Sequence, residues 1–228
     1  MADAAKWAED TLDYRFNDAG LIKQAFTHRS AANRHNERLE FLGDAVLELV
    51  ITDAIYHQRP DMDEGGLSRL RSNLVRKATL AEIAQNIDIA KQLILGSGER
   101  RTGGHQRSSI LADALEAVLG AVYLDGGYAD ADAVINKLFA EHLKELPDEA
   151  ALKDPKTRLQ EFLQADALGL PEYEVLKVSG KSHAQTFEVL CKVPGHNIEV
   201  KATGASRRKA EQQAAEDALK QLTSENNG

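Results

Sequence analysis

Three things are scarce in this sequence, and each scarcity excludes something. A single cysteine, Cys191, stands among 228 residues. No intramolecular disulfide can form, so the chain reads as one made for a reducing compartment. No apolar run is long enough to span a bilayer, and the N-terminus lacks the charged-then-apolar pattern of an export signal. The expectation is a soluble cytoplasmic protein with no membrane partner. Positive charge is also short: 28 Lys and Arg face 36 Asp and Glu, a formal net charge of −8. The deficit is uneven. Residues 1–150 carry 17 Lys and Arg against 25 Asp and Glu, whereas residues 151–228 carry 11 of each. Binding to a polyanion through overall charge is therefore excluded, and any such binding must come from local basic patches or a metal. A nucleotide-binding loop is missing too. The most glycine-rich stretch, Gly96 to His105, reads as a flexible connector and lacks a Gly-Lys-Ser/Thr ending, so no nucleotide cofactor is implied.

What the sequence does contain is two apolar helices that carry acids. From Asn36 to Tyr56, Leu39, Leu42, Val46, Leu49 and Val50 recur at a helical period and predict a core-facing stripe. Glu37, Glu40 and Asp44 stack along one side of that helix, where like charges oppose its formation. Gly43 adds a helix-interior cost of about 1 kcal/mol relative to Ala. From Ser108 to Leu124, Leu111, Leu115, Val118, Leu119 and Val122 predict a second buried helix, with Asp113 and Glu116 one turn apart. Two such helices can aim four carboxylates into one space. That arrangement is unfavourable without a counter-charge, and all-oxygen ligands suit Mg²⁺ or Mn²⁺ better than zinc. The residues alone leave two readings open, a metal-dependent hydrolase and a metal-binding helical protein.

The run Glu37-Arg38-Leu39-Glu40-Phe41-Leu42-Gly43-Asp44-Ala45 resembles the signature of the ribonuclease III family, endonucleases of double-stranded RNA. Asp113-Ala114-Leu115-Glu116-Ala117 is similar to that family's second acidic motif. The resemblance implies that Glu40, Asp113 and Glu116 hold Mg²⁺, for which Mn²⁺ can substitute, and that Asp44 completes the cluster. Asp44 and Glu116 are the expected catalytic residues, and Glu37 is an accessory group at the mouth of the site. Thr27-His28-Arg29-Ser30 resembles a further family element and reads as a hydrogen-bonded turn. Phe41 points away from the apolar stripe, and a large aromatic exposed beside a site calls for a partner. The family implies a homodimer with Phe41 in its interface.

The remaining segments fit two domains. Leu67 to about Lys77 predicts a helix made basic by Arg69, Arg71, Arg76 and Lys77, which reads equally as solvated surface or as a grip on phosphates. Ala129–Leu146 predicts one more helix, closed by Pro147. The linker at 148–154 is polar and bracketed by prolines. Beyond it come a helix over Lys156–Ala167, strands over Glu172–Val178, Gln185–Val193 and Asn197–Ala202, and a helix over Ser206–Leu222. In the first strand Leu176 breaks the alternation.

This α-β-β-β-α order resembles the double-stranded RNA-binding domain. Ser206 can cap the last helix, which puts Arg207, Arg208 and Lys209 in its first turn, where the helix dipole disfavours cations unless an anion such as phosphate sits there. By resemblance, Thr157, Gln160, Glu161 and His183 meet the minor grooves, whose shape and 2′-hydroxyls such domains read. One departure stands out: many such domains carry a basic residue where this chain has Glu211.

The expected architecture is an all-α endonuclease domain over 1–147, the linker, and a small α+β double-stranded RNA-binding domain over 155–224. The expected activity is metal-dependent cleavage of both strands of duplex RNA, leaving 5′-phosphate and 3′-hydroxyl ends, in the processing of ribosomal and messenger RNA precursors. Two rivals remain at this point: a non-cleaving RNA-binding regulator, and a phosphohydrolase acting on small phosphates.

Overall fold

Helix-forming stripes dominate the first two thirds of the chain, and alternating strands appear after it. The computed structural model describes residues 4–148, 153–165, 169–181, 185–195 and 198–225. The chain divides into two compact units, Met1–Pro147 and Asp148–Gly228. Among the described residues no helix is long and apolar enough to cross a membrane.

The first unit is helical: α1 (Ala4–Leu12), α2 (Ala19–Ala25), α3 (Glu37–Gln58), α4 (Glu64–Leu74), α5 (Lys77–Asn86), α6 (Ile89–Gln92), α7 (Ser97–Arg101), α8 (Ser108–Gly126), α9 (Tyr128–Leu138) and α10 (Ala140–Lys144). Its axis is α8, apolar nearly all round, with Leu111, Leu115, Val118, Leu119 and Val122 at 1% exposure or less. A helix of that composition has to be surrounded. α3 crosses it at backbone contact. A Cβ on Gly43 would fall 1.8 Å from the Glu116 carbonyl oxygen, and one on Gly120 would fall 2.2 Å from the Leu39 carbonyl oxygen. The glycine that weakens α3 as an isolated helix is what lets the two acidic helices meet.

Three expectations need correction. Leu49 is 56% exposed and lies outside the buried stripe, which runs through Leu39, Val46, Leu47, Val50 and Ile51. The helix expected over Ala129–Leu146 is two, because the chain breaks at Phe139, whose ring is fully buried. Part of the glycine-rich connector is helical, as α7 and a short 3₁₀ turn at Gly104–Gln106. At the other end of α8, Asp125 ties the N-terminal loop down. It accepts hydrogen bonds from Tyr14 Oη (2.8 Å) and from the Asn17 and Asp18 backbone N–H groups (2.8 and 2.9 Å).

The second unit contains α11 (Pro155–Ala165), β1 (Glu172–Ser179), β2 (Thr186–Val193), β3 (Ile198–Gly204) and α12 (Arg207–Glu225). The strands form an antiparallel sheet in the order β1-β2-β3. Leu159 and Leu163 of α11 and Ala214, Ala218 and Leu222 of α12 pack with Cys191, Val193 and Val200 of the sheet. The register of β1 against β2 slips between Val175 and Lys177. Leu176, where the alternation breaks, is the bulged residue.

Candidate metal centre and nucleic-acid surface

Residue spacing and helix crossing together build the acidic site. Glu40 and Asp44 lie one turn apart on α3, and Asp113 and Glu116 one turn apart on α8. The close crossing at Gly43 brings the two pairs face to face. One carboxylate oxygen from each of Glu40, Asp113 and Glu116 lies within 4.8 Å of the others. Asp44 is exposed and lines the same cavity, but it is not among those three. The cavity measures about 840 Å³ and is walled also by Glu37, Phe41, Lys77, Glu99 and Arg107.

Electrostatically the cluster is unbalanced. Glu116 is buried, at 7% exposure. Its burial, followed by the charges of Asp44, Asp113 and Glu40, pushes its pKa up to about 8. Glu40 is raised for the same reasons, desolvation first and Asp113 next. Lys77 pairs with the cluster: its Nζ donates to Asp113 Oδ1 at 2.9 Å. A single ammonium does not neutralise four carboxylates. A hard divalent cation does, and close-set carboxylate oxygens are the ligands it prefers. The cluster fits such an ion: Glu40, Asp113 and Glu116 could coordinate one.

The other expected residues of the first unit fall around this centre. Glu37 lies at the rim, paired with Arg29 Nη1 at 3.1 Å. Phe41 lines the cavity mouth at 80% exposure. The Thr-His-Arg-Ser element is a hydrogen-bonded turn: His28 Nδ1 lies 2.8 Å from Ser30 Oγ, which accepts from the Gly96 N–H at 3.0 Å. That bond joins the turn to the glycine-rich segment, where Glu99 pairs with Arg107 at 2.7 Å. Sequence reasoning missed Glu99 and Arg107 as site residues. For Lys77 it had a basic cluster but no direction.

In the second unit Thr157, Gln160 and Glu161 are exposed on α11, and Arg207, Arg208 and Lys209 are exposed at the start of α12. His183 lies outside the described residues. Ser206 caps α12, its Oγ accepting from the Lys209 N–H at 3.2 Å. Two cations of that first turn, Arg207 and Arg208, already have anionic company. Glu211 accepts from Arg207 Nε at 2.7 Å and from Lys156 Nζ at 2.6 Å, and Arg208 lies 3.5 Å from Asp154. Against the cost of desolvation, the bonds from Lys156 and Arg207 hold the Glu211 carboxyl below its ordinary value, and Asp154 is held low by the Gln212 side-chain amide and the Lys156 backbone N–H, then by Arg208.

Comparison with known proteins agrees with both halves. A family described as Ribonuclease-III-like matches residues 18–143, and the double-stranded RNA binding motif matches residues 155–222. Ribonuclease 3 of Alkalilimnicola ehrlichii is 55% identical over 214 residues, covering 94% of each chain. Ribonuclease 3 of Photorhabdus laumondii is 51% identical, over 92% of this chain and 93% of its own. Among solved structures, the nuclease domain of ribonuclease III from Campylobacter jejuni superposes with a TM-score of 0.61 at 36% identity. It covers 64% of this chain and 100% of its own. A second structure of that nuclease domain is 39% identical, with a TM-score of 0.59 over 60% of this chain and 96% of its own. It is described as showing structural flexibility in a region involved in dimer formation.

Proposed function

The chain belongs to the ribonuclease III family of double-stranded-RNA endoribonucleases, and from that premise we propose a Mg²⁺-dependent enzyme that cuts both strands of its duplex. Residues 1–147 form the nuclease domain, 148–154 the linker and 155–224 the RNA-binding domain. Glu40, Asp113 and Glu116 hold the ion, with Asp44 completing the set, and Mn²⁺ can take its place. When bound, it activates water for attack on the phosphodiester and stabilises charge on the phosphate and the leaving oxygen. The products carry 5′-phosphate and 3′-hydroxyl ends.

The chain's own groups supply position. Glu37, held by Arg29, keeps Glu40 company at the rim as an accessory residue. Thr157, Gln160, Glu161 and His183 meet the minor grooves, and the α12 start, from Ser206 through Arg207, Arg208 and Lys209, meets phosphate. Two copies act together: Phe41, Leu49 and Tyr56 of α3 are all exposed, and an isologous contact covers such a row on both subunits at once. Each subunit then offers one cluster to one strand. The setting is the cytoplasm, and the substrates are ribosomal and messenger RNA precursors.

The observation that carries this reading is Glu116, a buried carboxylate whose nearest charges are mostly other carboxylates. The test is a labelled RNA duplex incubated with the protein in Mg²⁺ or in a chelator. Cleavage of both strands in Mg²⁺ alone is expected, and equal cleavage in chelator would refute the metal assignment. Binding without any cleavage would favour a regulator.

A further inference from the structure

Lys77 is the first residue of α5, and its ammonium reaches across to α8, where Nζ donates to Asp113 Oδ1 at 2.9 Å. That ion pair ties a cation directly to the acidic set. The pair is lopsided in its surroundings. The Lys77 side chain is 65% exposed, whereas that of Asp113 is 28% exposed and faces the cluster. A long, solvated stem can leave such a partner at little cost, because an ion pair this exposed is weak. Asp113, by contrast, is fixed on a buried helix and is one of the three residues whose oxygens converge.

From this geometry we propose that Lys77 is a built-in counter-ion of the metal-free cluster, one that a divalent cation must displace from Asp113. The inference rests on the metal-centre reading above. In metal-free protein the ammonium relieves part of the repulsion among the four carboxylates, so it stabilises that form of the fold. The same ammonium opposes loading in two ways: it occupies an Asp113 oxygen, and it repels an approaching cation. Lys77 is thus a positioning residue that sets how tightly the centre holds its ion. Its effect is on the cluster's affinity, and the ligands themselves are unchanged.

The test uses the full chain without RNA and reads metal binding directly. Mn²⁺ is titrated calorimetrically into the wild type, Lys77→Met, Lys77→Arg and Glu116→Gln, with melting temperatures recorded with and without the ion. Lys77→Met removes the charge while keeping a comparable stem. It should bind Mn²⁺ roughly three- to tenfold more tightly than wild type at low salt, and the gap should narrow as salt rises. Its metal-free form should melt lower, and its gain on adding Mn²⁺ should be larger. Lys77→Arg keeps the charge and should stay near wild type, while Glu116→Gln should bind weakly. Equal or weaker Mn²⁺ binding by Lys77→Met would overturn the counter-ion role and leave the metal centre standing. Equal melting losses with and without metal would overturn it in the same way. Absence of Mn²⁺ binding by the wild type would overturn the metal centre and the counter-ion together.

Discussion

Among the described residues, each unit of the molecule buries one glutamate to the same degree, Glu116 in the first and Glu211 in the second, both at 7% exposure. Their charge states are pushed in opposite directions. Glu116 is raised to about 8 by burial and by neighbouring acids. Glu211 is lowered by its bonds to Lys156 and Arg207, which outweigh desolvation. A buried carboxylate enclosed by cations is a finished piece of structure. One enclosed by carboxylates is stable only with a proton or with a cation from solution. The difference separates a structural acid from a functional one at identical burial, so burial alone could not have made the distinction.

The same isosteric change at both positions sharpens that contrast. Glu116→Gln removes a charged metal ligand, so duplex cleavage in Mg²⁺ should fall by about a thousandfold or more, while duplex binding persists. Without metal, this variant should melt near wild type at pH 4 and increasingly above it as pH rises from the ordinary carboxylate range through about 8, where wild-type Glu116 is forced to ionise. Unchanged cleavage would end the functional reading of Glu116.

The contrast also depends on the α3–α8 crossing. Gly43→Ala places a methyl against the Glu116 carbonyl oxygen. It should cost about 3 kcal/mol in a denaturant titration, as overpacking does, and weaken metal binding with it. A variant of wild-type stability would mean that the helices need not cross so closely.

Glu211→Gln should have the smallest effect, about 1–2 kcal/mol from the thermal transition of the C-terminal unit, because both its cations remain partly solvated. The pH dependences should be opposite in sign. Glu211 is lowered, so its contribution is present above the ordinary carboxylate range and is lost as pH falls through its folded value. Glu116 is raised, so its contribution is intact below that range and is lost as pH rises through about 8. Calorimetry of the metal-free protein across pH 4 to 9 reads both.

Much of this could be read in the sequence, for a physical reason. Partners one turn apart on a helix are local, so Glu40 with Asp44, and Asp113 with Glu116, are evident from spacing. The apolar stripes of α8 and α12 and the break in alternation at Leu176 are equally local. What escaped is what depends on contacts distant in sequence. Lys77 and Asp113 are 36 residues apart, and nothing in either neighbourhood says that they meet. Gly43 looked like a cost because its benefit, room for Gly120 and the Glu116 backbone, lies on another helix. Leu49 fits the helical period as well as its neighbours do, and only the packing shows that it faces outward. Arg208 looked unpaired because its acid, Asp154, meets it only in the folded unit, whereas the Arg207–Glu211 pair, one helical turn apart, was open to the same spacing argument and went undrawn.

The central claim is that the buried cluster around Glu116 is the seat of a divalent cation, and proton counting tests it most directly. At pH 7 a carboxyl raised to about 8 is mostly protonated, and a bound cation requires it ionised. Titrating Mg²⁺ into the RNA-free protein in two buffers of different ionisation enthalpy gives the number of protons released. The account predicts roughly one proton per ion bound at pH 7, falling towards zero by pH 9. Mg²⁺ binding with no proton release at pH 7 would contradict it.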